Sequence, residues 1–231
     1  MKAVILAGGL GTRLRPFTHV IPKPLLPVGE SSVLEITIKK LRECGFDDLI
    51  IATNYKSHLF ESYFEDGSQF NVKIKYSKEK KPLGTAGPLR LLKDELKEPF
   101  LVIYGDILTS LDFRKLRDFH INNKSDFTLV TKEDFLPISY GVIESEGDLI
   151  KNIEEKPDVK TQINTGIYFL NPEVIDYIPD GFFHMTTLAK ELIKKGKKVM
   201  RYELKDYWID IGEKEYYEKA QKDFETGYLD L

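Results

Sequence analysis

The chain has 231 residues, of which 42% are hydrophobic and 31% are charged, and its formal net charge is −3. This balance is typical of a soluble globular protein, and the length suits a single α/β domain over residues 1–231. The chain has no dominant basic stripe, which argues against nucleic acid as a partner. No stretch approaches the ~18 apolar residues of a membrane span. We therefore expect neither a membrane segment nor a signal peptide. The single cysteine, Cys44, excludes an internal disulfide and fits a cytoplasmic location.

Short apolar runs alternate with amphipathic segments, and this alternation predicts a parallel-rich sheet covered by helices on both faces. Up to residue 122 the pattern predicts strands at 4–6, 49–53, 72–76 and 100–104, and helices at 32–44, 57–65, 85–96 and 113–122. Beyond it, the pattern predicts strands at 127–131, 163–170, 199–204 and 207–211, and helices at 185–195 and from about 213. A hairpin of 140–144 with 149–154 would turn at Gly147-Asp148.

The first strand leads directly into a glycine-rich loop that carries positive charge. Residues 7–16 read AGGLGTRLRP, and Lys23-Pro24 follows shortly afterwards. Glycines let the backbone approach a ligand and point its N–H groups at it, while Arg13, Arg15 and Lys23 add cationic side chains. The loop therefore suits the phosphates of a nucleoside triphosphate, and a purely structural glycine turn is the alternative interpretation.

Two widespread nucleotide-binding loops do not match this segment. The NTPase phosphate loop needs Gly-x-x-x-x-Gly-Lys-Ser/Thr, whereas the glycines here lead into Thr12-Arg13. The dinucleotide fingerprint Gly-x-Gly-x-x-Gly fails because Leu14 stands where the third glycine belongs. The loop is therefore of another kind.

Further motifs follow this loop in a fixed order. They are KPLLPV at 23–28, PLGTAG at 82–87, GD at 105–106, YGV at 140–142, EEKP at 154–157, NTGIY at 164–168 and WIDIG at 208–212. Together with the first loop they resemble the signatures of the sugar-1-phosphate nucleotidyltransferases over roughly residues 1–220. The chain is most similar to mannose-1-phosphate guanylyltransferase-type members, and since it lacks hexapeptide repeats, we expect the form without a C-terminal β-helix domain.

The resemblance implies a fold and a reaction. The fold would be a Rossmann-like three-layer α/β/α arrangement with a mixed, mostly parallel central sheet. The reaction would transfer a nucleotidyl group from a nucleoside triphosphate to a sugar-1-phosphate, giving a nucleotide-sugar and pyrophosphate. The nucleotide-sugar would serve the synthesis of cell-surface polysaccharide. Because the attacking phosphate is already an anion, positioning and charge neutralisation should dominate the catalysis.

The resemblance also assigns roles to particular residues, with Arg13 and Lys23 as the catalytic pair. Asp106 follows a buried strand and Asp210 interrupts an apolar run, positions where a carboxylate is costly without a partner, and the two would hold Mg²⁺. The nucleotide would be bound by Leu6, Ala7, Gly8, Gly9, Gly11, Thr12, Arg13, Gly84 and Thr85. The sugar-phosphate would be bound by Tyr104, Gly141, Glu155, Lys156, Asn164 and Thr165.

The sequence leaves both substrates open. The loop over 82–89 is most similar to guanylyltransferases acting on mannose-1-phosphate or a related manno-heptose phosphate, so GTP is expected, with backbone groups near Ala7 and Gly84 reading the guanine. Uridylyl-, thymidylyl- and cytidylyltransferases share most other motifs and remain alternatives.

Two other classes are less consistent with these residues. A glycosyltransferase with a similar sheet would require an Asp-x-Asp metal-binding motif, and the segment after Gly105 lacks the second aspartate. A non-catalytic nucleotide-sugar sensor should have lost a catalytic or metal-binding residue, and all four are present. The four histidines show no metal-ligand spacing. A homo-oligomer is possible, because Phe135, Phe182 and Phe183 fit either an interface or a core.

Overall fold

A seven-stranded sheet forms the centre of the protein, in a computed structural model that describes residues 1–228. The strands are β1 (Lys2–Leu6), β2 (Pro27–Val28), β3 (Ser31–Ser32), β4 (Asp48–Thr53), β5 (Lys73–Lys78), β6 (Phe100–Tyr104), β7 (Ile107–Thr109), β8 (Phe127–Pro137), β9 (Val142–Glu146), β10 (Leu149–Glu154), β11 (Asp158–Leu170), β12 (Val199–Leu204) and β13 (Trp208–Asp210). The α-helices are α1 (Val33–Glu43), α2 (Ser57–Phe64), α3 (Gly87–Leu91), α4 (Phe113–Asn122), α5 (Met185–Lys194) and α6 (Lys214–Glu225).

The order of strands across the sheet is β12-β8-β11-β6-β1-β4-β5. β11 runs antiparallel to both of its neighbours, β6 and β8, and the other neighbouring pairs are parallel. The predicted mixed, mostly parallel sheet is thereby confirmed. Because β1 lies between β6 and β4, the loop after Leu6 emerges at the carboxyl edge, where open α/β sheets bind ligands.

Helices cover both faces because apolar side chains point alternately to the two sides of each central strand. In β1, Ala3 and Ile5 pack in the cluster that includes α1, α2 and α4, whereas Val4 packs in the cluster of α3 and α5. All three residues are fully buried. Burial of a side chain the size of Val4 or Ile5 contributes roughly 1.5–3 kcal/mol to the free energy of folding. The three-layer α/β/α arrangement is therefore confirmed.

The helix predicted over 85–96 is wrong in length, because α3 ends at Leu91. The loop before it is held to the segment before α5: the amide of Ala86 donates to Phe183 O at 2.9 Å, and the amide of Phe183 donates to Leu83 O at 2.8 Å. After it, residues 92–96 continue as hydrogen-bonded turns. Tertiary hydrogen bonds thus account for the late start of α3 at Gly87.

Residues 132–163, which we call the arm, extend the long strands β8 and β11 beyond the sheet and carry the hairpin of β9 and β10. Both long strands exceed their predictions, since the pairing continues from Ile163 with Lys132 to Asp158 with Pro137. The predicted turn at Gly147-Asp148 is confirmed by the pairing of Glu146 with Leu149. Apolar side chains on the arm are largely exposed, and they include Phe135, Leu136, Tyr140, Ile143, Leu149, Ile150 and Ile153.

A two-stranded ribbon outside the main sheet also lies at its carboxyl edge. The strand predicted at 207–211 is β13, and it pairs antiparallel with β7, a short strand that the pattern did not predict. A small apolar cluster beneath α6, including Leu108, Ile209 and Ala220, fixes this ribbon. Among residues 1–228, no helix combines the length and apolar character needed to cross a bilayer.

Candidate active site

A buried lysine between two carboxylates is the centre of the site. The ammonium of Lys23 contacts Asp106 Oδ2 and lies 3.2 Å from Asp210 Oδ1, and only 9% of the lysine side chain is exposed. Lys23 begins a 3₁₀ turn between Pro22 and Pro24, whose rings restrict the local backbone. The lysine is therefore held where its charge serves both carboxylates at once.

The ribbon of β7 and β13 explains why residues so distant in sequence meet here. Asp106 lies in the turn between β6 and β7, and the next residue, Ile107, pairs with Asp210. The amide of Ile211 also donates to Asp106 O at 3.1 Å. Burial raises the pKa of Asp106, with Lys23 opposing the shift and Asp210 adding to it. The two carboxylates repel each other unless a cation lies between them.

The glycine-rich loop is anchored beside this cluster by backbone and side-chain hydrogen bonds. The amide of Gly105 donates to Leu6 O at 2.9 Å, which joins the ends of β1 and β6. The hydroxyl of Thr18 donates to Gly11 O at 2.8 Å. In the following 3₁₀ turn, Arg13 Nη1 donates to Glu213 Oε1 at 2.6 Å, and the arginine side chain remains 65% exposed. Arg13 is therefore oriented towards the site and still accessible to an anion.

A first cavity of about 210 Å³, the charged cavity, is lined by most of the residues predicted to bind the nucleotide. Gly212 also borders it, a residue that sequence reasoning missed. A Cβ added there would lie 3.0 Å from Asp210 Oδ1 and 3.2 Å from both Arg13 Nη2 and Lys23 Nζ, so only glycine leaves these charged groups their space. The lining is Leu6, Ala7, Gly9, Gly11, Thr12, Arg13, Lys23, Pro24, Asp106 and Gly212.

A second cavity of about 360 Å³, the loop cavity, adjoins the first, because Leu6, Gly9 and Asp106 border both. Thr85 fixes one wall, since its hydroxyl oxygen accepts from the amide of Met185 at 2.9 Å. Predicted residues in its lining are Leu6, Gly8, Gly9, Gly84, Thr85, Tyr104 and Asp106. Residues that sequence reasoning missed are Leu10, Asn54, Glu79, Pro82, Leu83, Pro88, Phe182 and His184.

A third cavity of about 310 Å³ opens on the other side of Asp210, towards the base of the arm. Arg13 and Asp210 border it together with Trp208, whose indole N–H donates to Thr165 O at 3.0 Å. Its lining adds Lys132, Asp134, Ile163, Tyr207, Ile209, Gly212, Glu213, Tyr216 and Lys219. We call it the arm-side cavity.

Three of the residues predicted to bind the sugar-phosphate lie close together at the sheet edge. Asn164 Nδ2 donates to Tyr168 Oη at 2.7 Å, and Tyr168 Oη lies 3.0 Å from Tyr104 Oη. Thr165 is buried and its hydroxyl donates to Val130 O at 2.8 Å, so its side chain is turned into the sheet. Thr165 therefore contributes its carbonyl, which orients Trp208, and its hydroxyl is not directed at a ligand.

The remaining three residues of the sugar-phosphate group lie on the arm. Gly141 and Glu155 are adjacent, since a Cβ added at Gly141 would lie 3.2 Å from Glu155 Oε2. Lys156 is exposed and has a φ of 48°, a left-handed conformation that is uncommon for lysine. In the described part of the chain none of the three borders the cavities around Lys23. The structure thus separates them from the charged cluster.

The aromatic residues that the sequence left between interface and core can now be placed. Phe135 and Phe182 are 55% and 61% exposed, whereas Phe183 packs against the cluster of α3 and α5. Of the four histidines, His120 is buried between Thr128 and Asn171, at 2.8 and 3.0 Å, and burial lowers its pKa. His184 stands at the loop cavity.

The carboxylates fit a divalent cation that takes its other ligands from a substrate. Asp106 and Asp210 converge on one positive point, the ammonium of Lys23. Residues 1–228 contain no group of three or more His, Cys, Asp or Glu side chains arranged to hold a metal. Mg²⁺ is commonly bound by one or two carboxylates when substrate phosphates complete its coordination shell.

Comparison with known proteins gives consistent matches along the chain. A sequence profile described as Nucleotidyl transferase matches residues 2–227. The mannose-1-phosphate guanyltransferase of Saccharomyces cerevisiae is 37% identical over 98% of this chain and 63% of its own length. The UTP–glucose-1-phosphate uridylyltransferase of Synechocystis sp. is 38% identical over 92% of this chain and 60% of its own.

Among solved structures, HddC from Yersinia pseudotuberculosis complexed with GMP-PN has a TM-score of 0.77 at 29% identity, covering 96% of this chain and 99% of that one. The chain spans about three fifths of the length of these two curated relatives.

Proposed function

Since the chain belongs to the nucleotidyl transferase family, we propose that it transfers a nucleotidyl group from a nucleoside triphosphate to a sugar-1-phosphate and releases pyrophosphate. The observation that carries the proposal is the charged cavity, where Lys23 stands between Asp106 and Asp210 at the end of a glycine-rich loop. Two polyanions must meet in this reaction, and fixed positive charge beside carboxylates that can hold a cation is what their meeting requires.

In the reaction, an oxygen of the sugar-1-phosphate attacks the α-phosphorus of the triphosphate. A bond forms between these two atoms, and the bond from the α-phosphorus to the bridging oxygen breaks to release pyrophosphate. Lys23 stabilises the charge on the α-phosphate, and the planar fork of Arg13 binds oxygens of the leaving pyrophosphate in place of Glu213. No general base is needed, because the attacking oxygen is already ionised.

Asp106 and Asp210 would hold Mg²⁺, and the bound ion would supply further charge neutralisation to the phosphates. Both aspartates reach one cationic point at the border of the charged cavity. The ammonium of Lys23 occupies this point in the structure. Once another cation neutralises the two carboxylates, Lys23 can leave them and bind a phosphate.

The nucleoside would lie in the loop cavity, with the glycines of the first loop, Gly84 and Thr85 around it. The sugar-phosphate would enter by the arm-side cavity, where Trp208 offers an apolar face. We assign the sugar-phosphate charge to Lys156, the sugar hydroxyls to Glu155 beside Gly141, and a further hydrogen bond to the amide of Asn164.

GTP and a sugar-1-phosphate of the manno configuration, mannose or a manno-heptose, are the proposed substrates, in nucleotide-sugar synthesis for cell-surface polysaccharide. Similarity to guanylyltransferases over 98% of the chain and to a structure complexed with GMP-PN supports this choice. UTP is the second candidate, because the uridylyltransferase relative is 38% identical over 92% of this chain.

Pyrophosphate release in a matrix of nucleoside triphosphates and sugar-1-phosphates tests both levels of the proposal. We expect GTP with a manno-configured sugar-1-phosphate to give the highest kcat/KM, by about 5- to 150-fold over UTP, because an unmade buried hydrogen bond to the base costs that much. Mixtures without sugar-1-phosphate serve as the control. A preference for a pyrimidine triphosphate would contradict GTP alone, whereas no pyrophosphate release with any pair at saturating Mg²⁺ would favour a nucleotide-sugar sensor.

Lys156→Ala is expected to raise the KM for the sugar-1-phosphate about 10- to 100-fold and to leave the KM for the nucleotide nearly unchanged. The physical reason is the loss of one charged hydrogen bond to the sugar-phosphate. Steady-state kinetics with each substrate varied would measure this. Lys160→Ala is the matched control, since Lys160 lies on the same arm and pairs with Glu133 at 2.8 Å. An effect on the nucleotide KM alone would contradict the assignment.

A further inference from the structure

The guanidinium of Arg13 lies between two of the cavities around Lys23. Arg13 borders both the charged cavity and the arm-side cavity, whereas Glu213, in the described part of the chain, borders only the arm-side cavity. Arg13 Nη1 donates to Glu213 Oε1 at 2.6 Å. Arg13 Nη2 and Lys23 Nζ would each lie 3.2 Å from a Cβ added at Gly212, so these two cationic groups stand close together. Glu213 thus binds a guanidinium that can also reach a phosphate beside Lys23.

The position of Glu213 is set by α6. Glu213 directly precedes this helix, and its carbonyl accepts from the amide of Tyr217 at 3.0 Å. The helix is tied to β2, because Tyr217 Oη and Gln221 Nε2 donate to Pro27 O at 2.7 and 2.6 Å. The carboxylate of Glu213 does not cap α6, all of whose residues the structure describes, and it accepts from Arg13 instead. Glu213 is therefore held by a helix, whereas Arg13 reaches it with a long, largely exposed side chain.

The ion pair of Arg13 and Glu213 is weak enough for a phosphate to break. The two side chains are 65% and 51% exposed, and an exposed pair of this kind shifts an equilibrium only about two- to fivefold. A charged hydrogen bond to a phosphate oxygen is worth about 10- to 100-fold. When Arg13 leaves, water and the positive end of α6 still stabilise the Glu213 carboxylate. A polyphosphate can therefore displace Glu213 from Arg13, and the displacement is reversible.

We propose that Glu213 is a positioning residue that promotes the release of pyrophosphate, because it competes with this product for Arg13. The inference rests on the proposed function, in which the leaving pyrophosphate binds Arg13. When Glu213 binds Arg13 again, the pyrophosphate loses one of its cationic contacts in the charged cavity and dissociates more readily. The same competition acts on the β- and γ-phosphates of the triphosphate, since these phosphates become the pyrophosphate.

A purely structural role for the same ion pair predicts a change of the opposite sign. If Glu213 only held Arg13 in the orientation that binds phosphate, removing the Glu213 charge would weaken the binding of pyrophosphate. If Glu213 competes for Arg13, removing its charge strengthens that binding. The sign of the change in pyrophosphate affinity therefore separates the two roles.

Glu213→Gln tests the inference, because glutamine keeps the length of the side chain and removes its charge. Calorimetric titration with pyrophosphate in excess Mg²⁺, without other substrates, should give a Kd about 3- to 10-fold below that of the wild type. Product inhibition by pyrophosphate should strengthen by the same factor, and the KM for the triphosphate should fall. Damage to the fold would not produce tighter binding.

Glu215→Gln is the matched control, because Glu215 is an exposed carboxylate in the first turn of the same helix. It takes part in none of the ion pairs found within residues 1–228, and its substitution should leave the Kd of pyrophosphate unchanged. A second comparison places Glu213→Gln in an Arg13→Ala background. Without Arg13 there is nothing to compete for, so the added substitution should no longer tighten binding.

The outcomes separate the inference from the proposed function. A folded Glu213→Gln protein that bound pyrophosphate no more tightly than the wild type would overturn the inference and leave nucleotidyl transfer intact. Tighter binding that persisted in the Arg13→Ala background would also overturn it, because Glu213 would then act on the ligand directly. A wild type that bound no pyrophosphate would overturn both the inference and the proposed function.

Discussion

Asp106→Asn is expected to give a folded protein that has lost about 100- to 1000-fold in kcat, the effect typical of removing one group that stabilises developing charge. Asp106 contacts the Lys23 ammonium and shares that cation with Asp210. The asparagine keeps the shape of the side chain and removes the negative charge that would hold Mg²⁺. The protein should remain folded, because the Lys23 ammonium keeps Asp210 Oδ1 as a partner at 3.2 Å.

Two measurements check this expectation. Turnover across a Mg²⁺ titration should stay low at every concentration, and Mn²⁺ binding followed by electron paramagnetic resonance in the absence of substrates should weaken. Asp176→Asn is the matched control, since Asp176 is an exposed aspartate whose partner, Lys93, is remote from the site. Unchanged turnover throughout the titration would show that Asp106 is not a metal ligand.

The sheet and most helices could be predicted from sequence because their signals are local. Ser32 caps α1, with its hydroxyl accepting from the amide of Glu35 at 3.2 Å, and the alternation in β1 fixes which helices lie on which face. The short strand β7 gives no comparable signal, since three residues form it and its partner β13 lies a hundred residues further on. Its pairing depends on tertiary packing beneath α6.

The candidate site divides in the same way. The composition of the glycine-rich loop predicts a ligand-binding loop directly. The meeting of Asp106 and Asp210 followed mainly from resemblance, because the pattern shows only that each carboxylate stands beside an apolar run. Glu79 was not predicted as a site residue, because it lies in the charged run KEKK at 78–81, a pattern typical of a solvated surface. It becomes part of the cavity wall only because the next loop folds back onto Phe183. No periodicity encodes such a contact.

Lys23→Met is expected to separate two effects that Lys23 now combines. Removing the ammonium leaves Asp106 and Asp210 facing each other without a cation, and losing a charged hydrogen bond should lower the free energy of unfolding by about 1.5–3 kcal/mol. The same change removes the positive charge at the α-phosphate, so kcat should fall about 100- to 1000-fold. Stability without added metal and turnover at saturating Mg²⁺ should therefore both decrease.

Added metal should restore only the first of these effects. Because the ammonium no longer competes for the two carboxylates, Mn²⁺ and Mg²⁺ should bind Lys23→Met more tightly than the wild type, and its melting temperature should rise with Mg²⁺ by more than the wild type's does. Turnover should stay low, since a second cation at the carboxylates does not replace the lysine at the phosphate. Calorimetric metal binding, thermal unfolding with and without Mg²⁺, and kcat are the measurements, and Lys75→Met, which removes an exposed lysine paired with Glu95, is the control. If metal bound Lys23→Met no more tightly than the wild type, Lys23 would not be the stand-in for a metal ion between Asp106 and Asp210, and the order of events in which a cation releases it to the phosphate would have to be abandoned.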